Sequence, residues 1–501
     1  GCIMEIKVTS GDILSQKSDA AVLFSFEDEK PDGAAARLDK TFGGIIAVAM
    51  KSGEFTGKLA ETFLLHAGPH MGGGPAKVML VGLGKREKFR PDNVRRAAGK
   101  AATSLRPIGV KTAAFEVVEC EGLSAVDVSG LLAEGALLGL YTYDEFRAKD
   151  PKKKELGSIT LVLKDKASEK LARKVTESVR IVAESVSFAK DMINAPSNEM
   201  TPAIMAERAK RAAKETGFKL TVLDTSDCRK LKMGAYLGVA QGSAQPPKFI
   251  VMEHNGGKKG ARPVVLVGKA ITFDTGGISI KPVAGMEKMK YDMAGGAAVI
   301  GTLRAAAALK LPVNVVGIVP AAENMPSGSA CKPGDIVRAM NGKTVEIIST
   351  DAEGRMVLAD ALCYSERYKP KAIVDIATLT GGCVVALGEL AIGLMGNNEG
   401  VINGLKGAGE ATFERVWELP MWDEYLDSMK GDVSDLKNAG GRDAQTVTAG
   451  KFLEEFVPKG TPWAHLDIAG TAWEEKGQPY IPKGARGTGV RLLLHYLAAG
   501  E

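Results

Sequence analysis

Short apolar runs and helix-like stretches alternate along the chain, and this pattern predicts an α/β protein. In the first part of the chain, apolar runs such as DAAVLFSF and KVMLVGLGK are separated by stretches such as PDNVRRAAGKAATSL. The runs have the length of buried strands, and the stretches between them carry apolar positions at helical spacing. We therefore expect an N-terminal α/β domain over residues 1–165.

A long helix is predicted to follow, over residues 166–195. Val175, Val179 and Val182 recur at helical spacing, and the segment contains neither glycine nor proline. The prolines of the next stretch, NAPSNEMTP, mark the loop that ends this helix. We expect the helix to connect the N-terminal domain to the rest of the chain.

The remaining residues, 196–501, alternate strand and helix repeatedly. Apolar runs such as PVVLVG, VNVVGIVP, TVEIIS and KAIVDIA are separated by helical stretches. Strands and helices in this order predict a mostly parallel central sheet flanked by helices. In such sheets, ligands bind at the carboxyl ends of the strands. We therefore expect the functional site of this second domain at those ends.

Composition and charge indicate a globular protein but do not identify a binding partner. The chain has 501 residues, of which 45% are hydrophobic and 25% charged, and its net charge is only +5. These values are typical of a globular enzyme and neither require nor exclude nucleic acid. The six cysteines form no C-x-x-C pair, which disfavours a disulfide framework and favours a reducing compartment. No apolar run has the length of a membrane span, and the first residues lack the pattern of a signal peptide. We expect a cytoplasmic protein without a membrane segment.

Charged residues gather where two of the predicted strands end. One stretch is GKAITFDTGGISIKPVAGMEKMKYDMAGG, and the other is STDAEGRMVLADAL, in which two acids and a base alternate before a helix. If the second stretch is extended up to its base, these three side chains point to one face. The first stretch supplies Lys269, Asp274, Lys281 and Asp292, and the second supplies Asp351, Glu353 and Arg355.

If the two strand ends are neighbours, four carboxylates lie together and their mutual repulsion needs compensation. Two divalent cations provide it, held by bridging carboxylates. The five histidines have no metal-binding spacing, so Lys269 is the candidate nitrogen ligand, in its neutral form. Lys281 and Arg355 then stabilise negative charge on a tetrahedral intermediate, and Arg355 also suits a two-pronged grip on a small anion.

Each piece also has a simpler interpretation when it is taken alone. D-x-E-x-R at a strand end is more often a solvated loop with a surface ion pair. Asp292 alone is most simply a helix N-cap before Ala294, and the neighbouring glycines alone indicate only turns and close packing. The joint pattern is what favours a metal site.

At these residues the sequence resembles the leucyl aminopeptidase (cytosol aminopeptidase) family of dinuclear metallopeptidases, including bacterial members similar to aminopeptidase A. STDAEGR is similar to the family signature NTDAEGR, and GKAITFDTGGISIKP and MKYDMAGGA match the companion motifs. The resemblance continues through AAENMPSGSACKPGDIV, DIATLTGG and HLDIAGTAW, and covers nearly all of residues 190–498. The first 165 residues look like the variable N-terminal domain of the family.

The resemblance implies a role for each charged residue. Asp274 and Glu353 would bridge two metal ions, with Lys269 and Asp292 completing one site. The side chain and carbonyl of Asp351 would complete the other. Lys281 would polarise the scissile carbonyl and stabilise the gem-diolate, and Arg355 is associated with a bicarbonate that acts as general base. The implied cofactors are two divalent metal ions per subunit, manganese or zinc first and magnesium or cobalt also open, together with bicarbonate.

The resemblance also implies peptide substrates, trimmed one N-terminal residue at a time, and a homohexamer. The pocket for the N-terminal side chain would be lined by Met289, Thr378, Leu379, Gly381, Ala469 and Ala472. An uncharged pocket favours leucine-like or methionine-like residues. Ser349 departs from the family pattern, because asparagine is common at that position. The difference affects the contacts that orient the metal-binding residues and leaves those residues themselves unchanged.

Three other functions are alternatives to a two-metal peptidase. A two-metal phosphoesterase would favour histidines and more cations than Lys281 and Arg355. A P-loop NTPase is excluded, because the NGKT stretch has Val337 where the motif requires its first glycine. A DNA-binding or regulatory role, as in some bacterial members of the family, is the alternative that stays open, although no helix-turn-helix is recognisable.

Overall fold

The computed structural model describes residues 4–68 and 73–500, and the chain divides into two compact units. The first unit comprises Gly1–Glu184 and Glu475–Lys483, and the second comprises Ser185–Glu474 and Gly484–Glu501. Both combine strands with helices, as the α/β pattern predicted.

The first unit is built on a six-stranded sheet in the order β1-β6-β5-β2-β4-β3. Every neighbouring pair is parallel except β3 and β4. Successive residues of β2 enter two different cores, Ala20 and Val22 on one face and Ala21 and Leu23 on the other. Burial of both faces explains why this strand reads as an uninterrupted apolar run. The strands are β1 (Glu5–Ser10), β2 (Ala20–Ser25), β3 (Thr62–His66), β4 (Lys77–Gly82), β5 (Thr112–Glu116) and β6 (Ser158–Leu163), and the helices are α1 (Gly33–Thr41), α2 (Ile45–Ser52), α3 (Pro91–Leu105) and α4 (Ala125–Gly139).

A helix of 26 residues, α5 (Glu169–Asn194), occupies the stretch where a long helix was predicted. The division between the two units falls inside it, between Glu184 and Ser185. Residues Glu475–Lys483 belong to the first unit, although no sequence pattern predicts this. The predicted domain limits at 165 and 195 therefore stay predictions.

The second unit is built on a nine-stranded, mostly parallel sheet, in the order β16-β15-β18-β14-β9-β11-β8-β7 with β10 paired to β11. The antiparallel pairs are β7 with β8, β8 with β11, and β15 with β18. The strands are β7 (Lys219–Leu223), β8 (Lys248–Asn255), β9 (Val264–Gly268), β10 (Ala270–Asp274), β11 (Asn314–Asn324), β12 (Ile336–Arg338), β13 (Thr344–Glu346), β14 (Ala372–Ala377), β15 (Ile392–Gly396), β16 (Val416–Glu418), β17 (Leu436–Lys437), β18 (Trp463–Asp467), β19 (Trp473–Glu474) and β20 (Gly484–Ala485). The helices are α6 (Pro202–Thr216), α7 (Thr225–Lys230), α8 (Gly234–Ala240), α9 (Ala294–Ala308), α10 (Glu353–Tyr364), α11 (Gly381–Leu387), α12 (Glu399–Thr412), α13 (Gln445–Glu454) and α14 (Val490–Ala499).

Three parallel strands of this sheet end side by side. Gly268 at the end of β9 pairs with Ile376 of β14, and Ala377 pairs with Asp467 at the end of β18. The residues that follow β9 and β14, together with Asp274 at the end of β10, are therefore brought to one edge. This is the edge at which an α/β sheet presents its ligand site.

Two details of the STDAEGR stretch differ from the prediction. The preceding TVEIIS run forms β13 in a small separate sheet with β12 and β17, not a strand of the central sheet. The stretch is not extended up to Arg355, because α10 already begins at Glu353. An acidic residue in the first turn is stabilised by the helix dipole, which favours this earlier start.

None of the helices in the described ranges is both long and apolar enough to cross a membrane.

The buried carboxylate of Asp360 in α10 gives a prediction about stability. It accepts hydrogen bonds from the backbone N–H groups of Tyr236 (2.8 Å) and Met340 (2.7 Å). Burial nevertheless raises the pKa of Asp360 to about 7. A carboxyl group with a raised pKa in the folded state loses its stabilising contribution as the pH rises through that pKa. We expect the wild type to lose about 2 to 3 kcal/mol of this contribution between about pH 5 and about pH 8, and Asp360→Asn to lose none.

Urea unfolding of both proteins across this pH range measures the difference. Parallel pH profiles of the free energy of unfolding would contradict the prediction.

Candidate metal centre

The acidic residues of the two motifs converge in the second unit. One carboxylate oxygen from each of Asp274, Asp351 and Glu353 lies within 4.8 Å of the other two. Asp292 is joined to the same cluster through Lys269. The two strand ends are therefore neighbours, which is the condition on which the sequence argument depended.

Lys269 lies in the centre of the cluster and is completely buried. Its Nζ atom is 2.8 Å from Asp292 Oδ1 and 2.9 Å from Glu353 Oε1, and it donates a 3.0 Å hydrogen bond to the carbonyl of Thr378. Burial lowers the pKa of Lys269, but Asp292, Glu353 and Asp274 outweigh burial and raise it above its ordinary value. Service as a nitrogen ligand therefore requires Lys269 to release a proton when the metal binds.

The glycines around Lys269 explain how the lysine fits. A Cβ atom at Gly354 would lie 2.5 Å from Lys269 Cε, and one at Gly295 would lie 2.1 Å from the carbonyl oxygen of Ile376. Side chains at either position would collide with the lysine or with the strand beside it. These two glycines are therefore required by close packing around the amine.

Lys281 approaches the cluster from the loop after β10. Its Nζ atom lies 2.9 Å from Asp274 Oδ2 and 2.5 Å from Asp351 Oδ1, and its side chain keeps 22% of its surface exposed. Burial lowers the pKa of Lys281, and the three carboxylates near it outweigh burial and raise it. Lys281 is thus an ammonium group at the open side of the site.

Arg355 is a buried cation on α10. It donates one hydrogen bond from Nη1 to the carbonyl of Asn438 (2.8 Å), and within the described ranges its Nε makes none. Burial lowers the pKa of Arg355 to about 10, while Glu353 and Asp467 oppose this shift. The guanidinium stays charged at neutral pH and retains a donor for an anion.

The donor set fits divalent cations. Among the described residues, the buried oxygens Asp292 Oδ2 and Glu353 Oε2 make no hydrogen bond. Burial raises the pKa values of Asp274, Asp292 and Asp351, and neighbouring carboxylates raise them further. Orphaned buried oxygens and mutually repelling carboxylates are both costly without a cation. Oxygen ligands with one amine suit manganese, zinc, magnesium or cobalt.

A pair of residues that the sequence analysis did not single out fastens the two acidic loops together. Asn324, at the end of β11, donates from Nδ2 to Asp274 Oδ1 (2.8 Å) and to the carbonyl of Thr350 (3.0 Å). The hydroxyl of Thr350 donates to the carbonyl of Gly276 (2.6 Å) and accepts from the N–H of Ser279 (2.8 Å). We call Asn324 and Thr350 the loop clamp.

Asn438 braces the STDAEGR stretch from the other side. Its Oδ1 accepts from the N–H groups of Ile348 (2.8 Å) and Ser349 (3.2 Å), and its Nδ2 donates to the carbonyl of Ser349 (2.6 Å). The hydroxyl of Ser349 accepts from the N–H of Asp351 (3.2 Å). A short side chain at position 349 therefore suffices to support the loop, because Asn438 supplies the longer reach.

The predicted pocket residues lie in three segments of the second unit. Thr378 donates from Oγ1 to Asp292 Oδ1 (2.8 Å), which ties the pocket to the cluster. Leu379 and Ala469 are half-buried and Gly381 is exposed. Met289 is also half-buried and lies in a 3₁₀ turn that ends beside Asp292. Ala472 is completely buried. The pocket assignments stay predictions, and Ala472 offers no exposed surface.

Comparison with known proteins adds to this geometry. Residues 187–494 match the profile described as cytosol aminopeptidase family, catalytic domain, and residues 22–150 match the profile of the N-terminal domain of that family. A probable cytosol aminopeptidase of Geotalea uraniireducens is 50% identical over 464 residues, 92% of each chain. The cytosol aminopeptidase of Pseudomonas aeruginosa is 44% identical over 497 residues, 99% of each chain.

Two solved structures are also similar. A tomato leucine aminopeptidase mutant has a TM-score of 0.90 at 32% identity, covering 99% of this chain and 97% of its own. The bottromycin maturation enzyme BotP in complex with Mn has a TM-score of 0.85 at 31% identity, covering 96% of this chain and 99% of its own.

Proposed function

The chain belongs to the cytosol aminopeptidase family and is a metal-dependent aminopeptidase, and we propose that it removes leucine-like and methionine-like residues from the N-termini of peptides. The observation that carries this proposal is the cluster of four carboxylates and one amine, in which the amine and three of the carboxylates are buried and two buried oxygens are orphaned. Such a cluster is the donor set of a two-metal hydrolase.

As the family resemblance implies, Asp274 and Glu353 would hold both metal ions, Lys269 and Asp292 would complete one site, and the side chain and carbonyl of Asp351 would complete the other. Bound there, two divalent cations supply an activated water and a Lewis acid. Thr378 holds both Lys269 and Asp292 in place, since its carbonyl accepts from the Lys269 amine and its hydroxyl donates to Asp292 Oδ1.

Lys281 acts on the substrate carbonyl. Its ammonium group stands at the open side of the cluster beside Asp274 and Asp351. From there it donates to the carbonyl oxygen as negative charge develops during hydrolysis. A fixed positive group aimed at that charge stabilises the transition state more than the bound substrate.

Arg355 holds bicarbonate. Its guanidinium is buried and charged, and its Nε has no hydrogen bond within the described ranges. A guanidinium edge matches a planar anion with two oxygens. A bicarbonate bound to Arg355 would supply the general base for the attacking water.

The substrate's side chain enters a pocket lined by Met289, Thr378, Leu379, Gly381 and Ala469. The carbonyl of Leu379 holds the peptide. No member of this set is charged, so an apolar N-terminal residue binds without desolvating an unpaired charge. Acidic N-terminal residues are therefore poor substrates.

Metal titration of chelator-treated protein tests the proposed function. We expect no hydrolysis of Leu-p-nitroanilide without metal and recovery of hydrolysis on addition of Mn²⁺, Zn²⁺, Co²⁺ or Mg²⁺, because the carboxylate cluster cannot activate water by itself. N-acetyl-Leu-p-nitroanilide is the matched control and should stay intact, since its blocked amine cannot bind a cation. Repeating the titration with bicarbonate removed should lower the rate. Full activity of the chelated protein, or none with any of the four metals, would contradict the proposal.

The assembly and location rest on the family resemblance alone. We propose a homohexamer in the cytoplasm, for which sedimentation and cell fractionation are the measurements. A DNA-binding role has no support in the site described above, and the net charge of +5 over 501 residues does not favour it.

A further inference from the structure

The segment from Thr378 to Thr380, which follows β14, is held from two sides. On one side, Thr378 contacts two residues of the acidic cluster, Lys269 and Asp292. On the other side, the next two residues contact Asp467. This short segment carries two of the predicted pocket residues, so whatever fixes it also fixes one wall of the pocket.

Asp467, the last residue of β18, makes the contacts on the second side. Its Oδ1 accepts from the N–H groups of Leu379 (3.2 Å) and Ala469 (3.1 Å), and its Oδ2 accepts from the hydroxyl of Thr380 (2.6 Å). Leu379 and Ala469 follow different strands, β14 and β18. One carboxylate therefore joins two of the three segments that carry the predicted pocket residues.

The same carboxylate also orients α11. The hydroxyl of Thr380, which donates to Asp467, accepts from the N–H of Cys383 and so caps the helix Gly381–Leu387. The pocket residue Gly381 is the first residue of that helix. Asp467 thus controls the positions of Leu379, Gly381 and Ala469 together.

A buried carboxylate needs a compensating positive charge. Asp467 is completely buried, and burial raises its pKa, while His465 is the strongest influence lowering it. His465 lies two residues earlier on β18 and so points to the same face of the sheet. Arg355 of α10 is a cation that also acts on His465 and Asp467 electrostatically.

His465 is itself paired on the side away from Asp467. Its Nδ1 is hydrogen-bonded to Asp375 on the neighbouring strand β14, and Asp375 also accepts from the indole N–H of Trp463 (2.7 Å). Burial lowers the pKa of His465, but Asp375 and Asp467 outweigh burial and raise it. Asp375, His465 and Asp467 are all buried, and both carboxylates favour the protonated form of His465.

We propose that Asp467 is a positioning residue that sets the shape of the pocket for the substrate's N-terminal side chain, with His465, which is held by Asp375, favouring its charged form. The inference rests on the proposed function, because it concerns the pocket of that same site. It predicts that loss of the carboxylate changes which side chains are accepted, while the metal cluster itself is left intact.

The ratio of kcat/KM for Leu-p-nitroanilide to that for Ala-p-nitroanilide tests this proposal. If the role of Asp467 were merely structural, the variant would contain less folded protein. The apparent kcat/KM for both substrates would then fall by the same factor, and their ratio would not change. Asp467→Asn keeps the size of the side chain and removes its charge and one acceptor. We expect the ratio to fall by about 10-fold, the range set by a few methylene groups in an apolar pocket.

Asp360→Asn is the matched control, since it makes the same change at another buried aspartate of this unit that does not contact the pocket. It should keep the wild-type ratio. The affinity of the chelated Asp467→Asn protein for Mn²⁺, measured by calorimetry, should equal that of the wild type.

His465→Gln provides a second and independent variant. We expect a smaller fall of the ratio in the same direction, because the imidazole that favours the charged form of Asp467 is lost while the two carboxylate oxygens of Asp467 remain as acceptors. If Asp467→Asn does not fold, the ratio of kcat/KM values measured for His465→Gln alone tests the proposal. A wild-type ratio in the folded variants would overturn the inference, whereas a wild type that cleaves neither substrate with any metal would overturn the proposed function instead.

Discussion

Replacing Lys281 with glutamine is expected to lower the kcat of the metal-loaded protein for Leu-p-nitroanilide by about 100- to 1,000-fold. Glutamine can still donate a hydrogen bond to the substrate carbonyl, but it lacks the positive charge that stabilises the developing oxyanion. Because that charge matters most in the transition state, KM should change much less than kcat. Steady-state kinetics at saturating metal measure both constants.

Lys451→Gln is the control for this result. Lys451 also pairs with two carboxylates, Asp423 (2.9 Å) and Glu454 (2.5 Å), but its partners belong to α13 and the 3₁₀ turn Asp423–Met429 rather than to the acidic cluster. This variant should retain wild-type kcat. Turnover of Lys281→Gln within about threefold of the wild type would exclude the proposed role of Lys281.

Replacing Glu353 with glutamine is expected to weaken Mn²⁺ binding by at least about 100-fold and to remove detectable hydrolysis. Glu353 presents one oxygen to Lys269 and leaves the other without a hydrogen bond within the described ranges. An amide offers one oxygen instead of two and carries no charge, so it cannot bridge two cations. Calorimetric titration of the chelated protein with Mn²⁺ measures the loss directly.

Thermal unfolding gives an independent readout, since a metal that binds only the folded state raises Tm. The wild type should show this rise with Mn²⁺ and Glu353→Gln should not. Glu474→Gln is the matched control, because Glu474 is also buried and is paired with Arg486 (2.7 Å). Undiminished Mn²⁺ affinity in Glu353→Gln would show that the cluster is not the metal site.

The sequence predicted the site well where strand ends determine it. The apolar run before Gly268 is typical of a buried parallel strand, so the charges that follow it were expected at the ligand-binding edge. Asp274 and Glu353 are 79 positions apart in the sequence, yet both follow apolar runs, and the structure brings them together.

The sequence was less informative where a side chain acts through tertiary contacts. Asn324 ends an apolar strand, so the strand-end argument used for Asp274 would have found it too. Asn438 lies in a loop with no periodic pattern, and its bonds to Ile348 and Ser349 depend on a fold of distant segments. The start of α10 at Glu353 was missed because alternate charges are compatible with both a strand and a first helical turn.

Asp467 shows a different limit. The run WAHLDIAG looks like a strand that ends in an acid, and the same argument would have placed a carboxylate at the sheet edge. What the pattern does not contain is the direction of the carboxylate, which faces Leu379 and Ala469 instead of the acidic cluster. Strand ends therefore indicate where a polar residue lies, and only packing decides which neighbours it serves.

The loop clamp of Asn324 and Thr350 has a consequence for the behaviour of the two acidic loops. Each loop depends on bonds to the other, since Asn324 holds Asp274 and the carbonyl of Thr350 at once. Segments that depend on the same hydrogen bonds open as one cooperative unit, with one free energy of local opening. We therefore expect that local opening of one acidic loop releases the other. The two acidic loops then open and close together, as one cooperative segment.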